Sequence, residues 1–150
     1  MKTKSVAIFT FASGLILLGI GSAILLTPEG FHASNGIALQ KNASLMSEIR
    51  APGGLLFACG LLITIGSFRD RLRSQSVKLA TLVYGTFGLA RLLSMILDGM
   101  PSQGVIGATV IELTVAALGL VILARKSNPL TGPTPIATTA RRNPKQLPNI

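Results

Sequence analysis

Residues 77–124 read VKLATLVYGTFGLARLLSMILDGMPSQGVIGATVIELTVAALGLVILA. Two apolar runs flank a short polar turn at residues 98–104. A helix of about 20 apolar residues matches the ~30 Å hydrocarbon core of a bilayer. Each run carries one ionisable residue well inside it, Arg91 in the first and Glu112 in the second. Arg91 lies seven residues before Asp98, and Glu112 lies seven residues after Val105. At the rise of an α-helix both offsets are ~10 Å. Antiparallel neighbours joined by a short turn therefore hold the two groups at one depth. An ionised side chain inside a membrane is costly and faces a partner or a cavity. A guanidinium and a carboxylate satisfy one another, in the best case through two parallel hydrogen bonds. The spacing predicts a buried ion pair between Arg91 and Glu112.

Working outward, two more apolar runs precede this pair. The predicted fold is an all-α bundle of four transmembrane helices, with spans at about residues 6–26, 51–68, 77–97 and 105–124. The first run follows Lys2 and Lys4, as a signal peptide would. It exceeds the roughly 7–15-residue apolar region of such peptides and ends Leu25-Leu26-Thr27-Pro28 with no small-x-small cleavage site, so it reads as a retained anchor. Residues 27–50 form the longest polar connection. Pro28, Gly30, Asn35 and Gly36 break structure there, and apolar residues at 37, 38, 45 and 46 weakly suggest a short interfacial helix over residues 37–46. Ser47 is a candidate cap for the second span, with Pro52 tolerable near the helix start. Gly53, Gly54, Ala58 and Gly60 give that span a smooth side for close helix contact. Residues 69–73 form a charged turn. Residues 127–150 hold Pro129, Pro133, Pro135, Pro144 and Pro148 among many Thr and Asn residues, and read as a disordered, basic cytoplasmic tail behind a membrane domain at residues 1–126.

Composition agrees. The chain is 49% hydrophobic and 13% charged, with a mean hydropathy of +0.59. A soluble domain carries about 25% charged residues. The net charge of +9 could suggest nucleic acid, but the basic residues fall between apolar runs, where a membrane protein places them. Lys2, Lys4, Arg69, Arg71, Arg73, Lys78, Arg125 and Lys126 would share one side, against Lys41 and Arg50 on the other. The positive-inside rule then puts both termini in the cytoplasm. Cys59 is the single cysteine, so an intrachain disulfide, a CxxC redox pair and a cysteine-based metal site are excluded.

Tyr84, Gly88, Arg91, Met95 and Asp98 recur at steps of three and four, on one helical stripe. Gly104, Ala108, Glu112 and Ala116 form a stripe of small residues interrupted by the acid. Together these predict a polar pocket open to the outer side. Arg91 and Glu112 form its floor, Glu48, Arg50 and Asp98 its rim, and Tyr84, Gly88 and Ser94 its lining, with Arg50 near Asp98 or Glu48. The plainer reading is a clamp that fixes helix register, since buried ion pairs are weak evidence for stability or for a site. Other chemistry has little support. Glu29 and His32 have the E-x-x-H spacing of di-iron bundles, but once and in a Gly/Pro-broken loop, so His32 reads as a solvated loop residue. No metal site, cofactor, serine triad or phosphate loop is expected.

The same residues carry a resemblance. Ser47-Glu48-Ile49-Arg50-Ala51-Pro52-Gly53-Gly54 opens the second span. Gly88-Leu89-Ala90-Arg91-Leu92-Leu93-Ser94 leads to Asp98-Gly99-Met100-Pro101-Ser102, and Glu112-Leu113 follows. Over residues 6–124 the chain resembles a bacterial family of small four-helix membrane proteins catalogued as a domain of unknown function. More distantly it is similar to DoxX-type four-helix membrane proteins, whose redox-linked thiol chemistry does not carry over to an unpaired Cys59. The resemblance implies a four-span bundle in a bacterial inner membrane and supplies no activity. The expected role is a small accessory or binding protein, with the lipid bilayer as its surroundings and a membrane-protein partner or a second copy beside it. The alternative is a small-solute transporter or proton-coupled relay acting as an oligomer.

Overall fold

The computed structural model describes residues 3–127; the basic tail expected beyond them lies outside the described residues. Five helices follow in order: α1 (Thr3–Leu26), α2 (Pro28–Ser34), α3 (Ala43–Ser67), α4 (Asp70–Asp98) and α5 (Gln103–Ser127). All but α2 are long and apolar enough to cross a membrane.

The helix ends differ from the sequence expectation, and local chemistry explains how. α2 occupies residues expected to break structure. Its Pro28 sits in the first turn with Glu29 beside it, where a missing N–H costs nothing and an acid favours the helix dipole. Gly36, at φ 78°, then takes the left-handed conformation that ends a helix. The stretch 37–42, expected to begin an interfacial helix, has no helical turn. α3 starts earlier than expected because Asn42, not Ser47, caps it: the Asn42 side chain accepts from the Ser44 and Leu45 amides. Pro52 therefore lies inside α3 and leaves the Glu48 carbonyl without its usual amide donor. The charged turn shrinks to Phe68 and Arg69, and Asp70 already belongs to α4.

α1 packs along α3, α5 packs along α4, and α3 and α4 join the two hairpins. The α1–α3 seam is backbone on backbone. A Cβ built on Gly21 would lie 2.9 Å from the Gly53 carbonyl oxygen, and one on Gly60 would lie 2.9 Å from that of Gly14. The two glycine pairs recur at seven-residue spacing, about two turns, on each helix. Without glycine here the axes could not approach so closely.

Leu17, Leu56, Ile63, Ala80, Tyr84 and Ala116 form the buried core. Buried hydroxyls are satisfied by their own helices: Thr10 donates to the Val6 carbonyl at 2.9 Å and Ser13 to that of Phe9 at 2.8 Å. Basic side chains close helix ends. Arg50 donates from Nε to the Leu25 carbonyl at 3.2 Å, and Arg73 donates from Nη2 to the Ser67 carbonyl at 3.1 Å. Both acceptors lie in last turns, where carbonyls lack an intrahelical donor. Arg73 also pairs with Asp70.

α1 contacts α4 as well as α3, but α1 and α5 share no extensive seam. A cavity lies between them.

Candidate functional site

α4 positions the polar centre. Tyr84 and Arg91 are seven residues apart, two turns of one helix, and so share a face. Tyr84 is buried at 2% exposure, and its hydroxyl donates to the Ser13 carbonyl of α1 at 2.8 Å. That bond ties α4 to α1 and orients the ring. One and two turns further on, Phe87 and Arg91 continue the same face into the cavity.

Arg91 meets Glu112 of α5. The Arg91 Nε donates to Glu112 Oε2 at 3.0 Å and to Oε1 at 3.2 Å. The Glu112 side chain is 12% exposed and that of Arg91 34%. This is not the two-pronged arrangement expected for such a pair. A single N–H is shared between both carboxylate oxygens, and the two Nη groups have no protein partner among the described residues. A guanidinium has five N–H donors, so most of its donor capacity is left for another acceptor.

The cavity has a volume of about 200 Å³. Its walls are apolar: Ile16, Leu17, Ile20 and Ile24 from α1, Val83 and Phe87 from α4, and Val105, Ala108 and Ile111 from α5, with α3 adding Leu56. Its polar groups are His32, Asn35, Tyr84, Arg91 and Glu112. The first two come from α2 and its C-terminal cap. His32 Nδ1 lies 2.8 Å from the Pro28 carbonyl, which can only accept, so a neutral ring carries its proton on Nδ1 and leaves Nε2 as an acceptor. Asn35 donates from Nδ2 to the Phe31 carbonyl at 2.9 Å, and its backbone carbonyl accepts from Ser102 Oγ at 2.8 Å. That last bond fastens the end of α2 to the α4–α5 turn, over the end of the cavity.

The other residues picked out from the sequence sit elsewhere. Among the described residues Arg50 forms no ion pair with Asp98 or Glu48; its Nε donates instead to the Leu25 carbonyl at the end of α1. Asp98 accepts from Ser94 on its own helix at 2.9 Å, and both are exposed. Glu48 is exposed, and neither it, Arg50 nor Asp98 lines the cavity. Gly88 is buried against Leu113 of α5, whose Cδ2 would lie 2.7 Å from an added Cβ. It sets the approach of α5 to α4 and does not line the space. Of the expected lining residues, only Tyr84 reaches it.

Sequence reasoning missed His32 and Asn35 because it read their segment as an irregular loop. A signal was present: Pro28 followed by Glu29 marks a helix start, Asn35-Gly36 marks a helix end, and residues 31, 32 and 35 fall on one face between them. Among the described residues, no group of three or more His, Cys, Asp or Glu side chains is placed to hold a metal ion.

No curated protein and no solved structure matches the chain. A family model matches residues 5–123, which takes in every residue of the cavity and the whole of α1 to α4 except its first two positions. By that match the chain belongs to the family described as Domain of unknown function (DUF4345).

Proposed function

We propose that this chain is a multi-pass protein of the bacterial inner membrane, with both termini cytoplasmic, and that it works as a small binding or accessory protein whose occupant sits in the cavity beside Arg91 and Glu112. Four apolar helices support the membrane reading, and the lopsided distribution of basic residues supports the orientation. In that orientation the α2 end of the bundle faces outward.

One observation carries the binding reading: Arg91 gives only Nε to Glu112, and both residues line an apolar cavity. A pure register clamp would engage the guanidinium through its fork, the strongest geometry available to it. A concave, mostly apolar space with a few convergent polar groups is the usual form of a small-molecule site.

The test is to extract the full chain from its native membrane in polymer-bounded lipid discs and identify by mass spectrometry what travels with it. The expected result is a small molecule retained in proportion to protein and depleted when Arg91→Leu and Glu112→Leu are combined. Equal small-molecule content in the natural and doubly substituted discs would overturn the reading.

A further inference from the structure

We infer that the occupant is an uncharged amphiphile drawn from the bilayer, with an oxygen acceptor at its buried end held by the Arg91 Nη groups. This deepens, and rests on, the binding reading above.

The route into the cavity favours a ligand soluble in hydrocarbon. Ile16 and Ile111 line it, yet they are 42% and 52% exposed. The cavity therefore opens at their level, between the two helices that lack a common seam. Ile16 is ten residues from Leu26, and Ile111 is eight from Gln103, so the opening lies ~12–15 Å from the α2 end. Half the thickness of a hydrocarbon core is also ~15 Å. The opening thus faces lipid tails near the bilayer midplane, and what enters there is soluble in hydrocarbon. At the α2 end Phe31, His32 and Asn35 lie over the cavity, and Ile37 beside them is 44% exposed, so a polar head can reach the bilayer surface there while the tail enters from the side.

The hydrogen-bond inventory favours an acceptor. Tyr84 has spent its only proton on Ser13, and His32 has directed Nδ1 to Pro28. Glu112 is an acceptor already bound to Arg91. The donors left are the second Asn35 amide hydrogen at the α2 end and, in greater number, those of Arg91 beside Glu112, so a complementary ligand presents an acceptor to Arg91.

Charge favours a neutral head. Arg91 and Glu112 cancel. A ligand carboxylate would bring a second anion beside Glu112 in a low-dielectric space, where like charges repel strongly and each ion has already lost much of its hydration. A ketone, ester or hydroxyl oxygen accepts from Arg91 without that penalty.

Size agrees. An apolar cavity of ~150 Å³ takes a benzene, so the space here holds about six to ten non-hydrogen atoms on the same scale, with any longer tail trailing between α1 and α5.

The experiment uses the purified full chain in phosphatidylcholine nanodiscs and three tritiated probes of matched length: decane, methyl octyl ketone and decanoate. The ketone binds saturably, and unlabelled ketone displaces it at a concentration at least about tenfold below that needed for decane or decanoate, the effect of one hydrogen bond to a charged donor. Arg91→Met, which removes every donor at that position, reduces ketone affinity to that of decane. The ranking of the three probes on the natural chain stands whether or not that variant folds. Decane binding as tightly as the ketone would overturn recognition by Arg91 and leave a binding cavity. Decanoate binding tighter than the ketone would overturn the uncharged head and likewise leave the cavity. Absence of saturable binding by all three would overturn this inference, and equal small-molecule content in the native-membrane comparison would overturn the binding reading with it.

Discussion

A methyl group added at Gly60 tests how the two hairpin helices α1 and α3 hold together. Its Cβ would lie 2.5 Å from the Leu18 amide nitrogen and 2.9 Å from both the Gly14 carbonyl oxygen and the Leu18 Cα. Non-bonded heavy atoms prefer about 3.5–4.0 Å, so the axes must part by roughly 1 Å. These neighbours are backbone atoms, which cannot rotate aside. Overpacking of this kind costs ~1–3 kcal/mol, offset by the up to ~1 kcal/mol that alanine gains over glycine within a helix. Gly60→Ala should therefore destabilise the fold by up to ~2 kcal/mol. Gly19→Ala is the control. It also lies on a long apolar helix, but nothing is within 4 Å of its built Cβ, so it should be neutral or slightly stabilising. Unfolding by increasing SDS in mixed micelles, followed by circular dichroism, compares the two. If Gly60→Ala is as stable as Gly19→Ala, the close glycine seam is not how these helices pack.

Three further outcomes follow from the structure. Arg91→Leu and Glu112→Leu should each cost ~3 kcal/mol or more by stranding the other charge, whereas the double substitution should cost less than their sum by ~1–3 kcal/mol in the same unfolding assay; additive losses would argue against contact. Asn42→Ala removes the acceptor for the Ser44 and Leu45 amides and should cost ~1 kcal/mol, with faster amide exchange confined to the first turn of α3. Fusions after Leu72 and after Gly104 should report cytoplasm and exterior respectively, and the reverse pattern would invert the proposed topology.

How much of this was legible depends on the range of the interaction concerned. Helices α1, α3, α4 and α5 announce themselves as apolar runs because lipid solubility is a property summed over a whole segment. Equal offsets of Arg91 and Glu112 from one turn are likewise a local count, and in the structure the side chains are 3.0 Å apart. Helix starts were less legible. Asn42 and Ser47 are both good caps, and only the geometry shows which one receives the amides. The fate of Arg50 was illegible for a different reason. Charge alone pointed to Asp98 and Glu48, but the end of α1 offers carbonyls that need a donor, and which helix end comes near is a matter of packing. Gly14 and Gly21 raised no expectation because their partners, Gly60 and Gly53, lie far along the chain. His32 and Asn35 were missed through a misread element, since proline and glycine mark helix ends as often as they mark loops.

One contact inside the bundle, between Arg91 and Glu112, organises the cavity. Solid-state NMR of the full chain in lipid bilayers can measure the nitrogen–carbon dipolar coupling between the Arg91 side chain and the Glu112 carboxylate. A coupling that matches Nε resting 3.0 Å from Oε2, stronger than the coupling of either Arg91 Nη to that carboxylate, is the predicted result. Two side chains with no measurable coupling, each in its own surroundings, would contradict it.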